Sequence, residues 1–241
     1  MDRLFPLFLL LGVFTSCTPN YEIEGCTSLS SLDGRMLYIK TLNNGNWEKV
    51  DSAEVIHGSF CMKGVVDSVM MVNLYMDEAN IMPLVLEKGK LKIIINNTEL
   101  KASGTPLNDA FYDFVEKKNA MDMELSELER KEARMVLEGA DLADIHEQLA
   151  KESRVLVEKT NKFVHQFIAD NYENVLGSGV FMMICSGLPY PILTPQIEAI
   201  LKDAPDSFKN HQVVKEFTTK AKQNQQLIEE HQRLEQSSAM R

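Results

Sequence analysis

Residues 82–109 read MPLVLEKGKLKIIINNTELKASGTPLND, and the fold turns on this stretch. Its first half holds two apolar runs, Met82 to Glu87 and Lys90 to Asn96, on either side of Lys88-Gly89. That pattern predicts the two strands of a hairpin. The chemistry changes at Gly104-Thr105-Pro106. Thr105 stands where a helix N-cap is expected, with Pro106 at the first helical position, where a missing N–H costs nothing. Asp109 and Asp113 follow in the first turns, at the end of the helix dipole that favours negative charge. Leu107, Phe111, Phe114 and Val115 recur at helical spacing, giving an apolar stripe to pack on the strands before it.

Upstream of this switch the chain alternates and turns at short intervals. Tyr21 to Gly25 is a first strand, and Asp33-Gly34 turns into Arg35 to Lys40. Asn43-Asn44-Gly45-Asn46 predicts a hairpin, because Asn and Gly adopt positive φ at little cost. Trp47 to Ile56 and Ser59 to Lys63 are joined at His57-Gly58, and Val69 to Met76, VMMVNLYM, reads as a central strand covered on both faces. Downstream the pattern is helical. A second helix is expected from Ser126 to Glu138, stopping near Gly139, and the longest from Leu142 to Asn171. Ile145, Leu149, Leu156, Phe163, Phe167 and Ile168 mark its buried side. Gly177-Ser178-Gly179 is expected to break the pattern before a buried apolar helix, Val180 to Cys185. Thr194-Pro195 repeats the cap-and-proline device, and Val213 to Glu235 is a polar helix.

The expected class is therefore α+β: an N-terminal antiparallel β-sandwich or barrel-like domain over 17–104, then a helical domain over 105–212. A polar C-terminal helix or tail follows over 213–241, and residues 1–16 form a leader. The leader is read from Leu4 to Phe14, LFPLFLLLGVF, an apolar run of signal-peptide length that is too short to span a bilayer.

The 241 residues carry a formal net charge of -10, which argues against a nucleic-acid partner, since neutralising phosphate needs clustered Lys and Arg. From Asp109 to Asn174 there are 16 acidic and 9 basic residues, as on a solvated helix surface. No catalytic, cofactor-binding or metal motif is legible. His146-Glu147 begins like a zinc-protease signature, but position 150 is Ala150 where the second histidine would stand. No cofactor is implied. Cys26, Cys61 and Cys185 are too far apart in sequence to form a reactive Cys-x-x-Cys pair. Cys26 and Cys61 both fall in the strand region, where a bridge between them is one reading and free thiols the other; Cys185 is expected to fill a helical core. The thirteen methionines, among them Met70, Met71, Met76, Met82, Met121, Met123, Met182 and Met183, suit adaptable core filling. A malleable groove for peptides or lipid tails, or a soft copper(I) site, is the sharper alternative.

Phe14-Thr15-Ser16-Cys17 resembles the lipobox of bacterial lipoproteins: an apolar residue, two small residues, then cysteine. The resemblance implies lipidation of Cys17 and routing to the outer membrane facing the periplasm, since Thr18 rather than an acidic residue follows. A second resemblance is carried by Tyr21-Glu22-Ile23-Glu24-Gly25, Asp33-Gly34-Arg35, Asp51-Ser52-Ala53, Gly58-Ser59-Phe60, Leu84 to Gly89 and Gly104-Thr105-Pro106-Leu107-Asn108. Their order is similar to the uncharacterised N-terminal domain of bacterial lipoproteins whose C-terminal domain is thioredoxin-like. No Cys-x-x-Cys of such a domain is legible in these residues, so the resemblance carries over no redox residue. These readings imply a non-catalytic binding or assembly module held to the membrane through Cys17, with an envelope protein, peptide or glycan as partner. A candidate partner groove lies beside Gly104, Thr105, Leu107 and Phe111. The alternative is an accessory partner, or remnant, of a periplasmic thiol:disulfide interchange system.

Overall fold

The computed structural model of the chain describes residues 20–43 and 46–239. The leader, Cys17 and the Asn44-Gly45 tip of the predicted hairpin lie outside the described residues.

Among the described residues eight strands form two four-stranded sheets. In chain order they are β1 (Asn20–Thr27), β2 (Met36–Asn43), β3 (Asn46–Glu54), β4 (Ser59–Val65), β5 (Met70–Met76), β6 (Ala79–Leu86), β7 (Gly89–Ile95) and β8 (Leu100–Ser103). The first sheet has the order β4-β1-β7-β8 and the second β3-β2-β5-β6. Alternation along each strand turns one set of apolar side chains inward. Ile23 and Ile93 from the first sheet meet Leu37, Ile39, Val72, Leu74 and Leu84 from the second in one buried core. This is the sandwich-like domain that the strand periodicity predicts.

Two features of the pairing depart from expectation. β6 and β7 do not form a hairpin: β6 closes the second sheet beside β5, and β7 crosses to the first sheet. There β7 runs parallel to β1, with Tyr21 opposite Gly89 and Thr27 opposite Ile95, so the sandwich is not wholly antiparallel. The hairpin lies one strand later, between β7 and β8, where Ile95 pairs with Leu100. The Asn96 side chain shapes that turn by accepting from the Thr98 and Glu99 amides at 2.9 and 2.6 Å. The second feature is the corner at His57-Gly58, where φ is positive at both residues (51° and 72°) and Ile56 bridges to Ser59. The turn is local, yet β3 and β4 belong to different sheets.

The helices are α1 (Pro106–Leu137), α2 (Leu142–Asp170), α3 (Val175–Ser186), α4 (Pro195–Asp203), α5 (Asp206–Lys209) and α6 (Gln212–Ala239). α1 is one 32-residue helix, not two. The predicted start at Ser126 is interior, and its hydroxyl bonds back to the Asp122 carbonyl at 3.0 Å instead of capping a new helix. Gly139, at φ +82°, ends α1, and the Asp141 side chain caps α2 through the Ala143 and Asp144 amides. α2 then runs antiparallel to α1, with Lys131 on Glu152 (2.7 Å) and Lys159 on Glu124 (3.2 Å). Phe114 of α1 stacks on Phe167 and Phe163 of α2, with ring centroids 4.2 and 5.4 Å apart.

Gly177-Ser178-Gly179 does not break the chain but lies inside α3. The glycines serve close approach. A Cβ at Gly177 would sit 2.4 Å from the Asn171 carbonyl oxygen, and one at Gly179 would sit 2.9 Å from the Met71 side chain of β5. That contact puts α3 on the outside of the second sheet at Met71. β5 is internal to its sheet, with Val72, Leu74 and Tyr75 buried and Met70, Met71, Asn73 and Met76 half-buried, so it is covered only in part on its outer face. Among the described residues no helix is long and apolar enough to cross a membrane.

Candidate functional site

The residues of the candidate groove form the joint between sandwich and helices. Thr105 occupies the N-cap position of α1, but its side chain takes no N–H of the helix. Glu87, at the end of β6, does so: its Oε1 accepts from the Leu107 and Asn108 amides at 2.9 and 3.2 Å. Asn108 is fully buried and pairs with the edge strand as another strand would. Its Oδ1 accepts from the Val85 amide at 2.9 Å, while its Nδ2 donates to the Val85 carbonyl at 2.8 Å and to Thr105 Oγ1 at 2.8 Å. Asp109 reaches back to the Gly104 amide at 2.8 Å, where φ is +102° and a Cβ would sit 2.8 Å from the Lys90 carbonyl oxygen. One turn on, the Tyr112 hydroxyl donates to the Pro83 carbonyl at 2.7 Å. Thr105 and Phe111 are both buried, Leu107 is half-buried and Gly104 is exposed. The hydrogen-bonding groups here face one another, and they fasten the helix start to the edge of a sheet.

The cavity opens one turn further along α1. A space of about 430 Å³ lies between α1, α2, α3 and α4. Phe114, Val115, Val164, Val180, Met183 and Ile184 make its apolar floor and walls. Its rim carries Asn119 from α1, Thr160 and Asn161 from α2, and Gln196 from α4. These four side chains make no hydrogen bond to another described residue, although each is placed by a helix whose other face is packed. Lys118 is the one charged lining residue, and its ammonium is held by Asp122 at 2.6 Å. The size lies within the range of ligand sites, which combine an apolar interior with a few convergent polar groups. None of these rim residues is conspicuous in sequence. The available signal is the pair Lys118-Asn119 lying on the extension of the Phe114-Val115 stripe, where a packed helix would carry apolar residues.

Two surfaces of the sandwich are polar or already filled. On the first sheet Glu22 lies between Lys63 and Lys90, the latter at 3.0 Å, and these two lysines hold its carboxyl below the ordinary glutamate range. A shallow pocket of about 480 Å³ surrounds this triad and takes in Tyr21, Gly64 and Gly89. On the second sheet Lys40 lies 4.7 Å over the Tyr75 ring and Lys49 lies 5.3 Å over Tyr38. Each of these rings therefore already has an ammonium group against it.

All three cysteines among the described residues are free. In the β1–β4 ladder Cys26 faces Ser59 and Cys61 faces Glu24, so the two are diagonal neighbours, and neither is opposite the other. Both are exposed. Cys185 is buried in α3, and burial pushes its thiol up to about 12. His146 faces Glu132 at 3.1 Å. Among the described residues no group of three or more His, Cys, Asp and Glu side chains is arranged to hold a metal ion. The methionines are dispersed: Met82 is in the sandwich core, Met70, Met71, Met76 and Met182 pack against the core, Met123 is exposed, and Met183 alone lines the cavity.

With this geometry in view, the comparison with known families is specific about the N-terminal, strand-built part of the chain. Residues 21–111 match the family model described as Domain of unknown function (DUF4369). The matched domain contains all eight strands except the first residue of β1, and it ends at Phe111 inside α1. It therefore includes Glu87, Thr105 and Asn108, so the sheet-to-helix joint belongs to the matched domain, and every residue lining the interhelical cavity lies beyond it. No curated protein matches the chain.

Proposed function

We propose that this protein is a lipid-anchored component of the bacterial cell envelope and acts as a non-catalytic binding module. Its ligand occupies the cavity between α1, α2, α3 and α4. One observation carries the reading: a cavity of ligand size whose polar rim has hydrogen-bonding capacity that the protein leaves unused. The Cys17 lipobox supports the address. Two or more acyl chains, at roughly 0.8 kcal/mol per buried CH₂, make such an anchor effectively permanent. The sandwich is then the body next to the anchor, and the joint at Glu87 and Asn108 sets the helical body on it.

The test has two parts. Mass spectrometry of the protein from envelope membranes should show a mature N-terminal peptide beginning at Cys17 with a diacylglyceryl mass. Met183→Trp, which fills the cavity from a half-exposed wall position, should abolish ligand-induced thermal stabilisation while leaving the unliganded Tm within a few degrees. A water-soluble mature chain that begins elsewhere would remove the anchor. Undiminished stabilisation in the variant would remove the cavity.

The second reading, an accessory partner or remnant of a thiol:disulfide interchange system, rests on the resemblance across about Tyr21 to Phe114. Its support is the order of those motifs. A mixed disulfide trapped between Cys26 or Cys61 and a thioredoxin-fold protein in the envelope would favour it over the first.

A further inference from the structure

The chemistry of the cavity narrows the class of its occupant. Its single charged lining group, Lys118, is offset by Asp122, so the cavity offers a ligand no net charge to neutralise. Asn119, Thr160, Asn161 and Gln196 offer neutral donors and acceptors from three different helices. An acyl chain seated on the apolar floor would make no use of these rim groups, which would gain no hydrogen bond from it. A glycan held by stacking needs an accessible ring face. The only aromatic lining residue, Phe114, is 2% exposed and already stacked on Phe163 and Phe167. Carboxamide side chains, by contrast, match the N–H and C=O of a peptide bond in both directions, as Asn108 does with Val85 in this same chain.

From these features, and resting on the proposed use of the cavity as the binding site, we infer that the ligand is an uncharged, extended peptide segment. It seats a large aliphatic side chain against the accessible Val115, Met183 and Ile184, above the buried Val164 and Val180, and its backbone is held by Asn119, Asn161 and Gln196. The unbranched, polarisable Met183 lets the wall adapt to more than one such side chain.

The experiment follows the methyl resonances of Val164, Val180, Met183 and Ile184 by NMR in the full chain with its leader removed, titrated with capped peptides. Ac-Gly-Leu-Gly-NH₂ should shift these methyls. Ac-Gly-Gly-Gly-NH₂ should bind at least tenfold more weakly. Asn161→Ala and Gln196→Ala should each weaken Ac-Gly-Leu-Gly-NH₂ by about tenfold and leave the Tm unchanged, because neither side chain bonds within the protein. Palmitate and the N-acetylglucosamine dimer are titrated in parallel. If either moves the same methyls and the peptides do not, the peptide assignment is overturned and the binding-module proposal stands. If no probe shifts them at millimolar concentration, the peptide assignment is overturned, and the binding-module proposal then stands or falls on the Met183→Trp comparison given above.

Discussion

At the scale of single residues, Asn108 has the largest consequence for the fold. β6 is an edge strand, and an edge leaves backbone groups that something must satisfy. At Val85 that something is one carboxamide. Asn108→Ala leaves a buried N–H and C=O without partners, and should cost about 2–4 kcal/mol in urea unfolding. Asn108→Asp should cost at least as much, because a carboxylate oxygen would then face the Val85 carbonyl and Glu87. Cys185 gives a second test. With its thiol buried and pushed up to about 12, it should resist iodoacetamide in the native protein at pH 8, while Cys26 and Cys61 are labelled. Peptide mapping before and after unfolding reads this directly, and native labelling of Cys185 would contradict the packing of α3. Glu22 supplies a test on the acid side. Its carboxyl is held low by Lys63 and Lys90, so this triad contributes above the ordinary glutamate range, and the contribution is lost as pH falls through the lowered value. The carboxyl carbon should titrate below a free glutamate by NMR, and should return towards it in the Lys63→Ala, Lys90→Ala double variant.

At the scale of elements, α3 shows how far sequence patterns carry. Gly-Ser-Gly is a breaker by propensity, but Gly177 and Gly179 stay helical because backbone and β5 approach where a side chain would stand. The two positions should respond differently. At Gly177 a methyl meets the backbone carbonyl of Asn171, so Gly177→Ala should cost about 1–3 kcal/mol. At Gly179 it meets the Met71 side chain, nearest at Cγ (2.9 Å), which can give way more readily than a backbone carbonyl, so Gly179→Ala should cost less than Gly177→Ala, partly offset by the gain in helix propensity. Urea midpoints for the two variants, side by side, check this order. Local signals of the opposite kind were legible. Thr194 accepts from the Ile197 amide as the cap-and-proline pattern predicts, and Gly139 terminates α1. What local pattern did not carry was pairing. Lys88-Gly89 looks like a hairpin turn because two strands flank it, but Glu87 is committed to the start of α1 and β7 pairs with β1, more than sixty residues earlier. The strands were visible because alternation is local, and their partners were not because sheet order is set by the buried face they share.

At the scale of the whole molecule, the chain is a sandwich with a helical body fastened to one sheet edge, and its two halves differ in what is known of them. The matched family domain ends inside α1, while the cavity is built from the helices that follow. In this account the sandwich is the part shared with other chains, and ligand choice resides in the helical half. The cavity was hidden from sequence reading because its floor belongs to three helices and looks, on each, like an ordinary core stripe. The rim is four neutral polar residues of a kind that solvated helices carry everywhere. Removing the joint with a Glu87→Ala, Asn108→Ala double variant should loosen the helices from the sandwich. Hydrogen exchange should then rise along Pro106 to Asp113 before it rises in β1 or β7.

The most direct measurement is native mass spectrometry of the protein purified gently from the cells that make it, wild type and Met183→Trp together. A bound species of a few hundred daltons on the wild type, absent from the variant, is the predicted result. An adduct of equal occupancy on both proteins, or none on either, would contradict a ligand held between α1, α2, α3 and α4.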